Sequence, residues 1–253
     1  MDGTLLDDQK QVPERNKQVI KRLADRGVNF ILASGRPYQS LHPYTEELEV
    51  YLPLITSNGA VIQCTLTDKI YRESNISLPL AEKLIDYARQ SDYLVSLYYP
   101  DKIITSAEEM AEAHRELGSN KIKLVDRLKA ESPPNKVVMH AKAGKIERAV
   151  EELSTTYKDR LYVTRSDPEF LEAMDLEVSK GLALEYIRER MNLGSDKIVA
   201  IGNNFNDLAM FEVAGRSVAV ENAPREVQKE ADFVTKTNNQ AGVAYALEQI
   251  FKL

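Results

Sequence analysis

The stretch Lys197-Ile198-Val199-Ala200-Ile201-Gly202-Asn203-Asn204-Phe205-Asn206-Asp207-Leu208 decides the fold. Lys197 to Ile201 reads as a short buried strand. A polar loop follows, then a helix over 206–214 with Asn206-Asp207 placed to cap it. The same rhythm continues downstream. Strands are expected at 217–220 and 233–235, with helices at 224–230 and 240–251. Upstream, 179–191 reads as a helix. Short strands alternating with helices argue for a parallel sheet covered on both faces.

The N-terminal part fits the same layer. Residues 13–26 read as a helix, with Pro13 in its first turn, a stripe of Val19, Ile20, Leu23 and Ala24, and Gly27 as the stop. Residues 28–33 are nearly all apolar and read as a strand ending in Ser34-Gly35-Arg36-Pro37. A second buried run, 52–56, ends in Ser57-Asn58-Gly59. Asn-Gly is a strong turn signal, and 60–64 and 69–72 read as paired strands beyond it.

The middle of the chain changes character. Helices are expected at 79–90, 106–117 and 144–157, and strands at 93–99, 102–105, 136–141, 161–165 and 169–174. That order suggests an α+β layer with antiparallel pairing. The expected fold class is therefore α/β: a doubly wound, parallel-sheet (Rossmann-like) core with an inserted α+β cap. The core is expected over 1–77 and 173–253, and the cap over 78–172.

Composition closes off other classes. Across 253 residues, 43% are apolar and 28% charged, which is ordinary globular usage. No run approaches the roughly 18 apolar residues of a membrane span. Cys64 is the one cysteine, so no internal disulfide can form. The first residues, Met1-Asp2-Gly3-Thr4-Leu5-Leu6-Asp7-Asp8, carry acids where a signal peptide carries bases, so a cytoplasmic home is expected. A formal charge of −6, from 33 basic and 39 acidic residues, argues against a nucleic-acid partner. His42, His114 and His140 show no zinc spacing. The Asn75-Ile76-Ser77 sequon is read as a chance match. Nothing in the sequence fixes an oligomeric state.

In open α/β sheets, ligands bind beyond the carboxyl ends of the strands. Asp2-Gly3-Thr4, Ser34-Gly35-Arg36, Lys180 and the 202–207 loop are candidates for those ends. Together they offer carboxylates, a hydroxyl, two cations and backbone amides, the groups phosphoryl transfer uses. Each piece also has a plain structural reading. Asp2-Gly3 can be a turn, Ser34 or Asn206-Asp207 a cap, and Asn58-Gly59 a hairpin. Lys180 can be a solvated lysine, set where the helix dipole disfavours a cation.

Five segments taken in order resemble the successive motifs of the haloacid dehalogenase superfamily, in particular its Cof-type phosphatases with a large α+β cap. They are Asp2-Gly3-Thr4-Leu5-Leu6, Leu32-Ala33-Ser34-Gly35-Arg36-Pro37, Ser57-Asn58-Gly59-Ala60, Val178-Ser179-Lys180-Gly181 and Ile201-Gly202-Asn203-Asn204-Phe205-Asn206-Asp207. The resemblance implies Mg²⁺-dependent hydrolysis of a small phosphorylated substrate through an aspartyl-phosphate. Asp2 matches the general acid/base, Ser34 the hydroxyl that binds the phosphoryl group, and Lys180 the lysine that offsets charge. Thr4, Gly35, Arg36, Asn58 and Asn206 match phosphate- or substrate-binding positions, and Asn203 and Asp207 metal positions.

Two departures stand out. The family's first motif is Asp-x-Asp-Gly-Thr, and Met1 occupies x, so the nucleophilic Asp and the first core strand are expected before Met1. A start set at an internal methionine is one reading and a truncated chain the other. Asn203 stands where the family usually has a metal-binding Asp. An amide oxygen serves a hard cation less well than a carboxylate. A non-catalytic relative that binds a phosphorylated ligand is the rival reading.

Overall fold

The computed structural model describes residues 1–67 and 69–253. By its internal contacts the chain divides into two compact units. One comprises Met1–Gly35, Leu41–Lys69 and Ser179–Leu253, and the other Arg36–Ser40 and Ile70–Val178.

The first unit opens with helix α1 (Glu14–Ala24), which buries Asn16, Val19, Ile20 and Leu23. Helix α2 (Tyr38–Glu47) holds Pro43 in its interior; its part from Leu41 onward belongs to this unit, and Tyr38–Ser40 is counted with the second. Strands β1 (Leu54–Thr56) and β2 (Val61–Gln63) pair antiparallel, with Ile55 opposite Ile62.

The second unit runs from β3 (Ile70–Glu73) through α3 (Leu78–Gln90), β4 (Leu94–Tyr98), β5 (Ile103–Thr105) and α4 (Glu108–Glu116). It continues with β6 (Ile122–Leu124), β7 (Lys136–His140), α5 (Ala143–Thr156), β8 (Leu161–Asp167) and β9 (Phe170–Asp175). Its sheet has the order β6-β5-β4-β7-β9-β8, antiparallel except for β5 with β6. Strand alternation sends Val95, Leu97, Val137 and Met139 into one core with the apolar stripes of α3 and α5. The opposite face meets α4 through Tyr98, Ile103, Met110 and Val138.

The first unit resumes with α6 (Lys180–Arg190), β10 (Val199–Gly202), α7 (Leu208–Val213), β11 (Arg216–Val220), α8 (Arg225–Lys229), β12 (Phe233–Thr235) and α9 (Gly242–Phe251). Strands β10, β11 and β12 form a parallel sheet in sequential order. Its core is built from Ala183, Leu184 and Ile187 of α6, Met210 and Phe211 of α7, and Ala219 and Val220 of β11. The α/β class with an antiparallel α+β insertion is thus as the sequence indicates.

Three points depart from the sequence reading. Residues 28–33 form no strand. They make a single parallel bridge, Ala33 to Ile55, with Ile55 N donating to Leu32 O at 3.0 Å and Ser34 N to Ile55 O at 2.9 Å. The reason is one-sided support: Ile31 and Ala33 also line an apolar cavity of about 500 Å³, and so do Val199 and Ile201 of β10. A strand short of partners loses ladder bonds and does not hold its full length. Second, a boundary between 172 and 173 would cut β9, whose pairing with β7 and β8 runs from Phe170 to Asp175. The contact boundaries fall at Ile70 and Val178. Third, α2 and β6 have no counterpart in the sequence reading. Pro43 hides the helical signal of α2, and β6 is half-buried at one residue and exposed at two, so it lacks an apolar run.

Candidate active site

The carboxyl ends of the parallel strands set the site. Gly202 closes β10 and hands the chain to Asn203 and Asn204. The N–H groups of those two residues both donate to Asp207 Oδ2, at 2.9 and 3.1 Å. Asn204 Oδ1 accepts from Phe205 N, so a capping box shapes the loop. Asp207 Oδ1 faces Lys180 Nζ at 2.6 Å, and both side chains are only 5% exposed.

Lys180 is the first residue of α6, behind a Ser179 cap whose hydroxyl accepts from Leu182 N. The helix dipole disfavours a cation there. The buried carboxylate of Asp207 compensates, and the pair holds α6 against the 202–207 loop. Burial pushes the Asp207 carboxyl up, but the Lys180 ammonium and the hydrogen bonds from Lys180 and Asn203 outweigh it and hold the group below its usual range.

The 57–59 turn is the strained part. Ser57, Asn58 and Gly59 all have left-handed backbone, with φ of 48°, 60° and 102°. Two non-glycine residues in that region cost about 1–2 kcal/mol each, a cost that neighbouring structure must sustain. At Gly59 a Cβ would lie 2.2 Å from Ser179 O, so only glycine lets this turn rest on the start of α6. The turn therefore closes the β1–β2 hairpin and also belongs to the site. Asn58 N donates to Ser34 O at 2.9 Å, and Asn206 Nδ2 donates to Asn58 Oδ1 at 2.9 Å. Asn206 Oδ1 is buried without a hydrogen-bond partner.

Residues 1–6 complete the group. Thr4 Oγ1 donates to Asn203 Oδ1 at 2.8 Å. Ser34, Gly35, Asn58, Asn206, Asp207, Lys180, Asn203 and Thr4 are thereby linked in one continuous set, Gly35 through its close packing on Asn58. Asp2 is met by a different group: Lys10 Nζ lies 3.2 Å from its Oδ1. Arg36 falls with the second unit, where its guanidinium donates to Leu117 O at 3.3 Å. The sequence reading overlooked Asn222, which sits just past the end of β11 and donates to Gly3 O. The strand-end rule that selected the other loops would have found it.

A Mg²⁺ ion is what the resemblance implies, and the donors described here do not fit one. Asp207 is the one carboxylate of the linked set, and Lys180 and two backbone amides engage both its oxygens. Asn203 Oδ1 already accepts from Thr4. Among the described residues no cluster of three His, Cys, Asp or Glu could hold a metal. Mg²⁺ requires near-octahedral oxygen ligation, normally anchored by carboxylates free to bind it.

Strand-end loops, a helix amino terminus and a buried lysine equip an α/β protein to handle an anion. Comparison with known proteins narrows that class. Residues 1–247 match the model of the haloacid dehalogenase-like hydrolases, and the chain belongs to that family. It is similar to the 5-amino-6-(5-phospho-D-ribitylamino)uracil phosphatase YwtE of Bacillus subtilis, 27% identical over 99% of this chain and 96% of the relative. Among solved structures it resembles a haloacid dehalogenase-like hydrolase from Bacteroides thetaiotaomicron. The TM-score is 0.90 and the identity 29%, covering 99% of this chain and 97% of the other. It also resembles TM0651 from Thermotoga maritima, with TM-score 0.86 and 31% identity, covering 98% and 94%. Phosphatase chemistry on a phosphorylated small molecule follows for the family. Among the described residues no helix is long and apolar enough to cross a membrane.

Proposed function

We propose that this chain hydrolyses phosphate monoesters of small cytoplasmic metabolites, of the sugar-phosphate or polyol-phosphate type, through an aspartyl-phosphate. The observation that carries the reading is the buried Lys180–Asp207 pair at the start of α6, among loops at strand ends. Lys180 keeps an ammonium beside the phosphoryl oxygens, and Asp207 fixes its position. The Ser34 hydroxyl and the Asn206 amide bind the same group. Thr4 holds its loop to Asn203.

The nucleophilic carboxylate is assigned to a residue preceding Met1, on a strand that fills the cavity between Ala33 and β10. Two features support that assignment. Met1 lines this cavity, and Ala33 lines it together with Val199, Ala200 and Ile201 of β10. A carboxylate oxygen attacks phosphorus, the ester P–O bond breaks, and the leaving oxygen takes the proton of Asp2. Water then attacks the acyl phosphate, returning its proton to Asp2 and releasing inorganic phosphate. Proton transfer by a placed carboxyl contributes roughly 10²–10⁴-fold. YwtE's substrate, a phosphorylated ribityl compound by its name, belongs to the same chemical type.

The test compares the 253-residue chain with a version extended by its natural upstream sequence. Both are assayed on p-nitrophenyl phosphate and a panel of sugar phosphates, with and without Mg²⁺. Turnover by the extended chain, absent from the shorter one and lost on Asp2→Asn or Lys180→Ala, is expected. Turnover by the shorter chain that survives Asp2→Asn would refute the mechanism. Binding of sugar phosphates with no turnover by either chain would favour the non-catalytic relative. The amide at Asn203 and the engagement of both Asp207 oxygens by Lys180 and backbone amides are the features that favour this second reading.

A further inference from the structure

The turn that carries Asp2 is held by asparagines. The N–H groups of Thr4, Leu5 and Leu6 all converge on Met1 O, at 3.2, 2.9 and 3.1 Å. Such a turn leaves its own outward carbonyls without helical partners, and a buried carbonyl left unpaired is costly. Here asparagine amides from separate elements take three of these acceptors, Gly3 O, Leu5 O and Leu6 O. Asn222, beyond β11, donates to Gly3 O at 2.8 Å. Asn16 of α1 donates to Leu5 O at 3.1 Å. Asn238, beyond β12, donates to Leu6 O at 3.0 Å.

The amides are themselves held. Asn16 is fully buried, and its Oδ1 accepts from Ala244 N at 2.9 Å. Asn238 is 2% exposed and gives a further hydrogen bond to Asp8 Oδ1 at 3.1 Å, while its own N–H donates to Asn222 Oδ1 at 2.9 Å. Asn222 is thus a two-ended link, joining the Gly3–Thr4 peptide, one residue beyond Asp2, to the turn after β12. A carboxamide donates to a carbonyl through its nitrogen and accepts from an N–H through its oxygen, two separate atoms that can reach two separate elements. Alanine or aspartate at 222 would break one or both ends.

We propose that Asn16, Asn222 and Asn238 are positioning residues that clamp the Gly3–Leu6 turn and thereby fix where the Asp2 carboxyl lies. The inference rests on the hydrolytic reading for its catalytic part and on geometry alone for the clamp. Asn222 is exposed, so its substitution spares the core and is the variant of choice. Asn222→Asp keeps the acceptor for Asn238 N and replaces the donor to Gly3 O with an oxygen.

The experiment has two readouts. In the 253-residue chain, amide hydrogen exchange at Thr4, Leu5 and Leu6 should quicken about tenfold in Asn222→Ala and Asn222→Asp. Tenfold corresponds to about 1.4 kcal/mol, within the range of one net hydrogen bond. Exchange in β7 and β9 of the second unit should not change. In the extended chain, kcat on p-nitrophenyl phosphate should fall about 3–10-fold with KM within twofold, because substrate binding is intact and only proton transfer is misaligned. Unchanged protection at residues 4–6 in both variants overturns the clamp. Loosened protection with unchanged kcat overturns the link to Asp2, and a parallel rise in KM would mark a general structural role instead. If the unsubstituted extended chain has no turnover, the hydrolytic reading fails by itself, and the exchange result still decides the clamp.

Discussion

Separating Lys180 from Asp207 should destabilise the first unit asymmetrically, and the structure sets the order. The ion pair is 2.6 Å long with both side chains 5% exposed, so removing either partner leaves a buried charge. Such removals cost about 3–5 kcal/mol. In Lys180→Ala the remaining anion keeps two backbone donors, Asn203 N and Asn204 N, so the loss belongs at the lower end, about 3 kcal/mol. In Asp207→Ala those amides lose their acceptor, and an unpaired ammonium remains at the start of α6, where the dipole opposes it. That loss belongs at the upper end, about 4–5 kcal/mol. The double variant removes both charges and should cost less than the sum by about 2 kcal/mol. Urea unfolding at pH 7, followed on the transition of the first unit, measures all four corners of the cycle. Equal losses, the reverse order, or either loss below about 1 kcal/mol would refute the reasoning, because the pair would then be solvated rather than structural.

Two further outcomes are expected. His114 packs on Tyr98 at 5.3 Å between ring centroids and shares hydrogen bonds with Tyr98 Oη and Ser96 Oγ, and burial followed by the nearby Lys136 ammonium lowers its pKa to about 4. The unfolded chain takes up that proton near pH 6.5 and the folded one only near 4, so stability is lost as pH falls between those values. The loss totals on the order of 3 kcal/mol at 1.36 per unit. Denaturation of wild type and His114→Gln at pH 7 and 4.5 checks this, and an equal acid loss in both proteins would contradict it. For the metal, titration calorimetry should give little Mg²⁺ heat with the 253-residue chain and more with Asn203→Asp, which adds a second carboxylate; tight binding by the unsubstituted chain would show that Asp207 is free to ligate.

Much of the fold was legible from local pattern. The stripes that mark α1, α3 and α5, and the alternation of strand and helix from α6 onward, come from periods that neighbouring residues impose on one another. The hairpin turn at Asn58-Gly59 and the antiparallel pairing of the strands at β4 and β5 are legible in the same way. Residues 28–33 show the limit. Their composition reads as a strand, but a strand is a relation between neighbours, and among the described residues this segment makes a single bridge, Ala33 to Ile55.

The α/β class, the antiparallel insertion and the residue types at the strand ends could all be read from the chain, because each rests on periodicity or on an ordered set of short motifs. The tertiary structure alone decided the partners. Lys180 looked solvated and ill-placed on its helix until Asp207, 27 positions away, supplied its counter-charge. Asn222 and Asn238 lie more than 200 positions from residues 3–6, and Asn16 sits on a separate helix; only the folded chain brings their amides to that turn. Arg36, one residue from Gly35, went the other way, to the second unit. Hydrogen bonds and ion pairs between distant residues carry no period that a local pattern can reveal; they exist only once the apolar core has fixed which surfaces meet.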